Sequence, residues 1–162
     1  MDIVFNILDE NRKIKIVSDV VTLMCSYRQR KFLDKEAGGI LIYRECIESG
    51  NIIVEYATEP YKDDIRSRTR FSRKDNKHIE VFNQLHSQHS AIYGYLGEWH
   101  THPEKHPSYS YLDKANWERI AFQNKDSDRI YYHVIVGLES ISIWSYGVKQ
   151  DNIKMVYNGV VV

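Results

Sequence analysis

Two histidines one residue apart, His100 and His102, are followed after ten intervening residues by an acid, Asp113, in the stretch HTHPEKHPSYSYLD. Side chains alternate faces along a strand, so His100 and His102 share one face while Trp99 and Thr101 take the other. Imidazoles spaced this way can converge on one ion. Pro103 ends the strand, and a proline-bracketed loop turns the chain back. Ser110 reads as the N-cap of a helix, with Asp113 at the capping-box position three residues on. Along that helix Asp113, Trp117, Ile120 and Ala121 fall on one side. The other three are apolar, so the carboxylate lies on the core-facing side, where an unpaired charge is costly. A metal ion would supply the partner. Two imidazoles and one carboxylate make the protein-ligand count of a catalytic zinc site that keeps its fourth position for water. The same residues also read as hydrogen-bonded strand histidines and an ordinary helix cap.

Glu98 precedes His100 by two residues and so shares its face, which makes it a candidate general base. His106, between two prolines, reads as a solvent-exposed loop residue. His78, His86 and His89, on or beside a second helix, read as surface histidines, and His133, in an apolar strand, as a satisfied core residue. Cys25 and Cys46 form no CxxC pair and lie in no nucleophile context, so they read as free thiols in a reducing cytosol.

These residues need elements to hold them. DIVFNIL and KIKIV alternate as a strand pair. SDVVTLMCSYRQRKF reads as a helix capped by Ser18 or Asp19, with Val20, Val21, Met24 and Tyr27 at helical spacing. GGILIYREC and NIIVEYAT read as strands joined by ESGN. Residues 60–77 lack an apolar pattern and read as a long loop carrying Arg66, Arg68, Arg70, Arg73, Lys74 and Lys77. HIEVFNQLHSQHS then puts Ile79, Phe82 and Leu85 on one helical stripe. IYGYLGEWHTH is a strand, and SYLDKANWERIAFQ is the helix that Ser110 caps. RIYYHVIVGL and SISIWSYG form a buried hairpin, and IKMVYNGVVV closes the sheet. The order indicates an α/β sandwich-like domain around a mixed sheet.

The chain has 162 residues, a size for one domain with a substantial core. Its 22 Lys+Arg balance 22 Asp+Glu, so net charge points to no particular partner. The basic 60–77 segment is interleaved only with Tyr61 and Phe71, thin for nucleic-acid stacking, so no nucleic-acid partner is expected. The N-terminus is broken early by charges, unlike a signal peptide, and no apolar stretch could span a bilayer. The expectation is a cytoplasmic protein with no membrane partner.

HTHPEKHPSYSYLD resembles the H-x-H-P…S-x-x-D signature of the JAMM (MPN-plus) metallopeptidases, and EAGGILI, starting at Glu36, resembles the family's upstream element. The resemblance implies an α/β fold: a single JAMM/MPN, cytidine-deaminase-like domain over residues 1–162, with a mixed, mostly antiparallel curved sheet flanked by helices. It implies one Zn²⁺ per chain on His100, His102 and Asp113, with Glu36 rather than Glu98 as general base and Ser110 as oxyanion donor. EAGGIL with GEWHTHP is similar to the isopeptidases of anti-phage CBASS operons, which sit beside an E1–E2-like ligase and a cGAS-like nucleotidyltransferase. The implied function is cleavage after the C-terminal residue of a conjugated protein modifier, a ubiquitin-like protein or that nucleotidyltransferase. Alternatives within the resemblance are a peptidase that processes sulfur-carrier or ubiquitin-like precursors, and a metal-free scaffold. Tyr43 stands where many relatives have glycine, near the implied substrate groove. The 60–77 segment lies where relatives contact the modifier, so Arg66, Arg68 and Arg70 are expected to recognise its surface.

Overall fold

The computed structural model describes residues 1–8, 10–123, 127–150 and 152–160. Its frame is a mixed sheet of eight strands: β1 (Ile3–Asn6), β2 (Lys13–Ile16), β3 (Gly38–Glu45), β4 (Ile52–Ala57), β7 (Tyr93–Thr101), β8 (Tyr131–Val136), β9 (Ser140–Tyr146) and β10 (Lys154–Val160). They lie in the order β1-β2-β4-β3-β7-β8-β9-β10. The β2/β4 and β7/β8 pairs are parallel and the rest antiparallel. The sheet curls until its edges meet: the rings of Phe5 on β1 and Tyr157 on β10 lie 6.3 Å apart. Among the described residues, no helix is long and apolar enough to cross a membrane.

Three helices cover the sheet. Helix α1 (Ser18–Ser26) sets Val20, Val21 and Met24 into the main core on the inner face, with Leu41, Val54, Trp99, Val134 and Ile143. Helix α2 (Lys77–Gln88) covers the outer face of β3 and β7, packing Val81, Phe82 and Leu85 on Ile40, Ile42 and Tyr93. Helix α3 (Tyr111–Phe122) covers β8 and β9 on that outer side, where Trp117 packs on Ile135 and Trp144. Fully burying a side chain of that size stabilises the fold by roughly 1.5–3 kcal/mol.

Several sequence expectations are corrected. Helix α1 stops at Ser26 rather than running to Phe32, because Gln29 is buried and donates to the Asp34 and Arg68 carbonyls. Neither Ser18 nor Asp19 caps it. Val17 is the N-cap, and the Ser18 N–H donates to the Asp2 carboxylate at 2.8 Å. The 60–77 segment contains a hairpin, β5 (Ile65–Ser67) with β6 (Arg70–Ser72). Ile79 is exposed instead of joining the Phe82–Leu85 stripe.

His78 is fully buried, against the surface reading. Its Nε2 lies 2.8 Å from Asp64 Oδ2 and its Nδ1 2.6 Å from Thr58 Oγ1. Asp64 also accepts from the Tyr61, Lys74 and Asp75 N–H groups. The Thr58–His78–Asp64 chain resembles a hydrolytic triad in residue types. Sealed from solvent, with Thr58 Oγ1 also accepting from the Ile40 N–H, it is a clamp joining α2, the hairpin segment and β3.

Candidate active site

The site begins with a register shift. Between Tyr95 and Gly97, β7 slips one residue against β3. Before the shift Tyr93 and Tyr95 pack on the outer face, whereas Leu96 and, beyond it, Trp99 join the inner core. The extra residue inverts the alternation, so Glu98 and His100 emerge on the outer side beneath α3. Gly97 is required at the slip because a Cβ there would lie 2.0 Å from the Tyr132 carbonyl oxygen. Beyond Thr101 the ladder continues: His102 N–H donates to the Val136 carbonyl at 3.0 Å and fixes the second histidine.

Because β7 and β8 are parallel, the chain must cross over between them, and α3 is that crossover. Its N-terminus therefore returns to the C-terminal end of β7. Ser110 caps it as the spacing predicts. Ser110 Oγ accepts from the Asp113 N–H at 3.2 Å, and the Ser110 N–H donates to Asp113 Oδ2 at 2.6 Å.

These elements bring His100, His102 and Asp113 together. The two Nε2 atoms are 3.0 Å apart. His100 Nε2 lies 3.0 Å from Asp113 Oδ1, and His102 Nε2 lies 3.4 Å from Asp113 Oδ2. With one ligand atom taken from each residue, this triangle of residues has all its donors within 4.8 Å of one another, close enough to converge on one ion that takes nitrogen and oxygen ligands, such as zinc. Burial presses the His100 imidazolium down, but the Asp113 hydrogen bond and charge, with Glu36 and Glu98, outweigh it and raise its pKa. Burial alone would raise Asp113. Hydrogen bonds from both histidines and Ser110 hold it well below the ordinary carboxylate range.

Glu36 opens into the same cleft, with His102, Ser110 and Asp113. Thr101 N–H donates to the Ala37 carbonyl at 2.8 Å, extending the β3/β7 ladder toward Glu36. The hairpin then fastens it. Glu36 N–H donates to the Ser67 carbonyl at 2.8 Å, Arg66 Nε donates to the Glu36 carbonyl at 2.6 Å, and the Phe71 N–H donates to its carboxylate. Gly38 leaves room for the Phe71 ring, which a Cβ would meet at 2.6 Å. Burial raises the Glu36 pKa to about 7, against the opposing pull of His100 and His102.

Glu98 is placed differently. Arg73 Nε donates to its Oε1 at 2.9 Å and Asn116 Nδ2 to its Oε2 at 2.8 Å, so both oxygens are engaged. Arg66 and Arg68 are also committed, Arg68 to the Lys31 and Phe32 carbonyls. Of the three arginines expected to meet a modifier, Arg70 alone lines the cleft.

The other candidates lie elsewhere. His106 is largely exposed. His86 is half-buried and donates from Nδ1 to the Tyr93 carbonyl, while His89 is exposed. His133 is buried and stacked on Trp117, and burial pushes its pKa down to about 3. Its Nδ1 accepts from the Glu98 N–H at 3.4 Å, but Nε2 has no partner among the described residues, so the satisfied-core reading holds for one nitrogen only. Cys25 and Cys46 are free, as expected. Tyr43 pairs with Gly94 at the far end of the β3/β7 ladder from His100, away from the cleft. Phe71, Gln29 and Asn116 support the site but carry no sequence signal, since each acts through contacts remote along the chain.

Residues 19–150 match the family described as prokaryotic homologs of the JAB domain. The chain belongs to that family. Two similar proteins, each named CD-NTase/cGAS isopeptidase, come from Escherichia coli (strain TW11681) and Vibrio cholerae serotype O1. The first is 38% identical over 67% of this chain and 69% of its own. The second is 36% identical over 76% of both. A solution structure of a Desulfitobacterium hafniense protein superposes with a TM-score of 0.59 at 20% identity, over 86% of this chain and 87% of that one, a likeness of fold. In this JAB domain the HxH strand, the S-x-x-D helix and Glu36 all lie within the matched span.

Proposed function

We propose that this chain is a zinc-dependent isopeptidase that releases a conjugated protein modifier by cleaving after the modifier's C-terminal residue. The modifier favoured by the relatives' names is a cGAS-like nucleotidyltransferase, joined to its target by an E1–E2-like ligase in CBASS anti-phage defence. One observation carries the reading: the His100–His102–Asp113 triangle, whose ligand atoms lie within 4.8 Å of one another, shares a cleft with a buried carboxylate whose pKa is raised to about 7.

Bound at the triangle, zinc would supply Lewis acidity and make water acidic enough to lose a proton near neutral pH. The protein's own groups do the rest. Glu36 in its ionised form takes the proton of the attacking water at a carboxylate oxygen, then hands it to the departing lysine amine. A dication nearby favours that ionised form. The hairpin keeps Glu36 aimed into the cleft. Ser110, in the wall of the same cleft, would donate to the carbonyl oxygen as charge builds on it. Its hydroxyl has one hydrogen, given at rest to Asp113 Oδ2 at 2.7 Å, so service to the oxyanion requires it to rotate away. Glu98, tied to Arg73 and Asn116, shapes the cleft wall instead of moving protons.

The test is metal content by mass spectrometry, together with cleavage of a nucleotidyltransferase tail fused through a lysine isopeptide to an acceptor. About one zinc per chain is expected, with cleavage abolished by a chelator and restored by zinc. Cleavage that survives His100→Ala/His102→Ala would end the proposal.

A further inference from the structure

The cleft has two arms that meet at the candidate centre, sharing Arg70, Phe71, Leu112 and Asp113. The smaller, about 170 Å³, runs past Thr69, Glu104 and Ser110. The larger, about 570 Å³, runs between β6 and α3 and adds Arg73, Lys74 and Arg119. Its floor is a continuous polar chain: Arg73 donates to Glu98, Asn116 to Glu98, and Arg119 Nη2 to Asn116 Oδ1 at 2.7 Å. That chain ties the hairpin segment to α3 and holds Arg119 at the groove wall.

The charges in this arm do not cancel. Glu98 is paired with Arg73, and Asp113 is turned to the His100 and His102 rings, where the proposed ion would face it. Among the described residues Arg119 has no ion-pair partner and donates to the neutral Asn116 side chain. The side chains of Arg70 and Lys74 have no ion-pair partner among the described residues. Three cations therefore face a groove whose anions are already engaged, beside the atoms where the bond would be cut. Resting on the isopeptidase reading, we infer that this arm selects its substrate by charge. It takes a modifier tail with acidic side chains near the scissile bond and disfavours a basic one, with Arg70, Lys74 and Arg119 as the recognition residues. A peptide fits better than a nucleic acid, because of the two aromatic side chains in the basic 60–77 segment Tyr61 packs against His78 and Phe71 alone lines the groove, thin for base stacking.

The probes are three fluorescein-labelled ten-residue peptides with free C-terminal carboxylates, identical except for three side chains that are all Asp, all Ser or all Lys. Their binding to the zinc-loaded protein is read by anisotropy at low and high salt, with a single-stranded DNA 12-mer alongside. One exposed ion pair changes affinity by up to roughly fivefold. The Asp peptide should therefore bind at least about tenfold more tightly than the Lys peptide, with the gap closing in high salt. Lys74→Glu/Arg119→Glu should invert the order, and Lys74→Ser/Arg119→Ser, which leaves Arg70, should narrow the gap to about fivefold or less. Equal binding of the three peptides, a preference for the Lys peptide, or DNA binding as tight as the Asp peptide would overturn the inference. Cleavage of conjugates without charge preference removes the inference alone. A charge preference in a protein that cleaves no conjugate removes the isopeptidase reading alone.

Discussion

Glu36→Gln separates the cost of the candidate base from its use. Burial lifts the Glu36 carboxyl from 4.5 to about 7 in the folded chain. A raised pKa means that the group's contribution to stability is fully present below its unfolded value. It is lost as pH climbs to the folded value. At 1.36 kcal/mol per unit the shift amounts to about 3 kcal/mol at full weight, and water at the cleft mouth screens it to about 2 kcal/mol. The variant carries no charge and avoids this cost. At pH 5, half a unit above the unfolded value, about a quarter of the difference between metal-free wild type and Glu36→Gln should have opened, and the variant should be more stable by about 2 kcal/mol at pH 8. The measurement is urea unfolding of chelator-treated protein at half-unit steps from pH 5 to 8.5, with cleavage by the zinc-loaded forms in parallel. Cleavage should fall by a factor of about 10²–10⁴, the worth of a general base. In the wild type the acid limb of kcat/KM should lie at or below about pH 7, since bound zinc favours the ionised carboxylate. Parallel stability profiles for the two proteins would show that Glu36 sits in water rather than in a desolvated cleft, and the argument for its role as base would fail.

Two further outcomes follow from how the hairpin is held. Arg66→Ala removes the 2.6 Å hydrogen bond to the Glu36 carbonyl without touching the cleft, so kcat should drop several-fold with KM nearly unchanged, whereas Arg70→Ala should act mainly on KM. A rise in KM alone for Arg66→Ala would restore it as a substrate contact. His78→Ala empties a sealed site and strips Thr58 and Asp64 of their partner, at a cost of about 3 kcal/mol. Thermal melts should show Tm falling by roughly 10 °C, and a change under 2 °C would contradict the clamp.

The parts legible in the sequence are those where local periodicity and tertiary role coincide. His100 and His102 at strand spacing, Ser110 and Asp113 as cap and capping-box acid, and Trp117, Ile120 and Ala121 as one helix face all follow from periods of two and 3.6. The β5–β6 hairpin escaped because three-residue strands reading IRS and RFS carry too few alternations to register. The early end of α1 escaped because RQRKF continues a helical pattern while buried Gln29 spends its amide on carbonyls up to 39 residues away. His78 was read as exposed for the same reason: its two partners lie 14 and 20 residues back along the chain, where no pattern of hydrophobicity can point. The slip at Gly97, which turns Glu98 and His100 to the outer face, leaves no trace beyond a glycine in an apolar strand.

The hairpin joins the two halves of the argument. An isolated pair of three-residue strands is marginal in water, so its position must be imposed from outside. The Thr58–His78–Asp64 clamp holds the segment on either side of it, the Arg73–Glu98 ion pair holds β6 to β7, and Arg68 holds its turn to the Lys31 and Phe32 carbonyls. From that imposed position it does two things at once. Ser67, Arg66 and Phe71 fix Glu36, while Arg70, Arg73 and Lys74 line the groove. A tail seated between β6 and α3 would therefore press on the same element that aims the carboxylate. Substrate contacts that steady the hairpin would then appear in kcat as well as in KM, because they hold the base as they hold the tail.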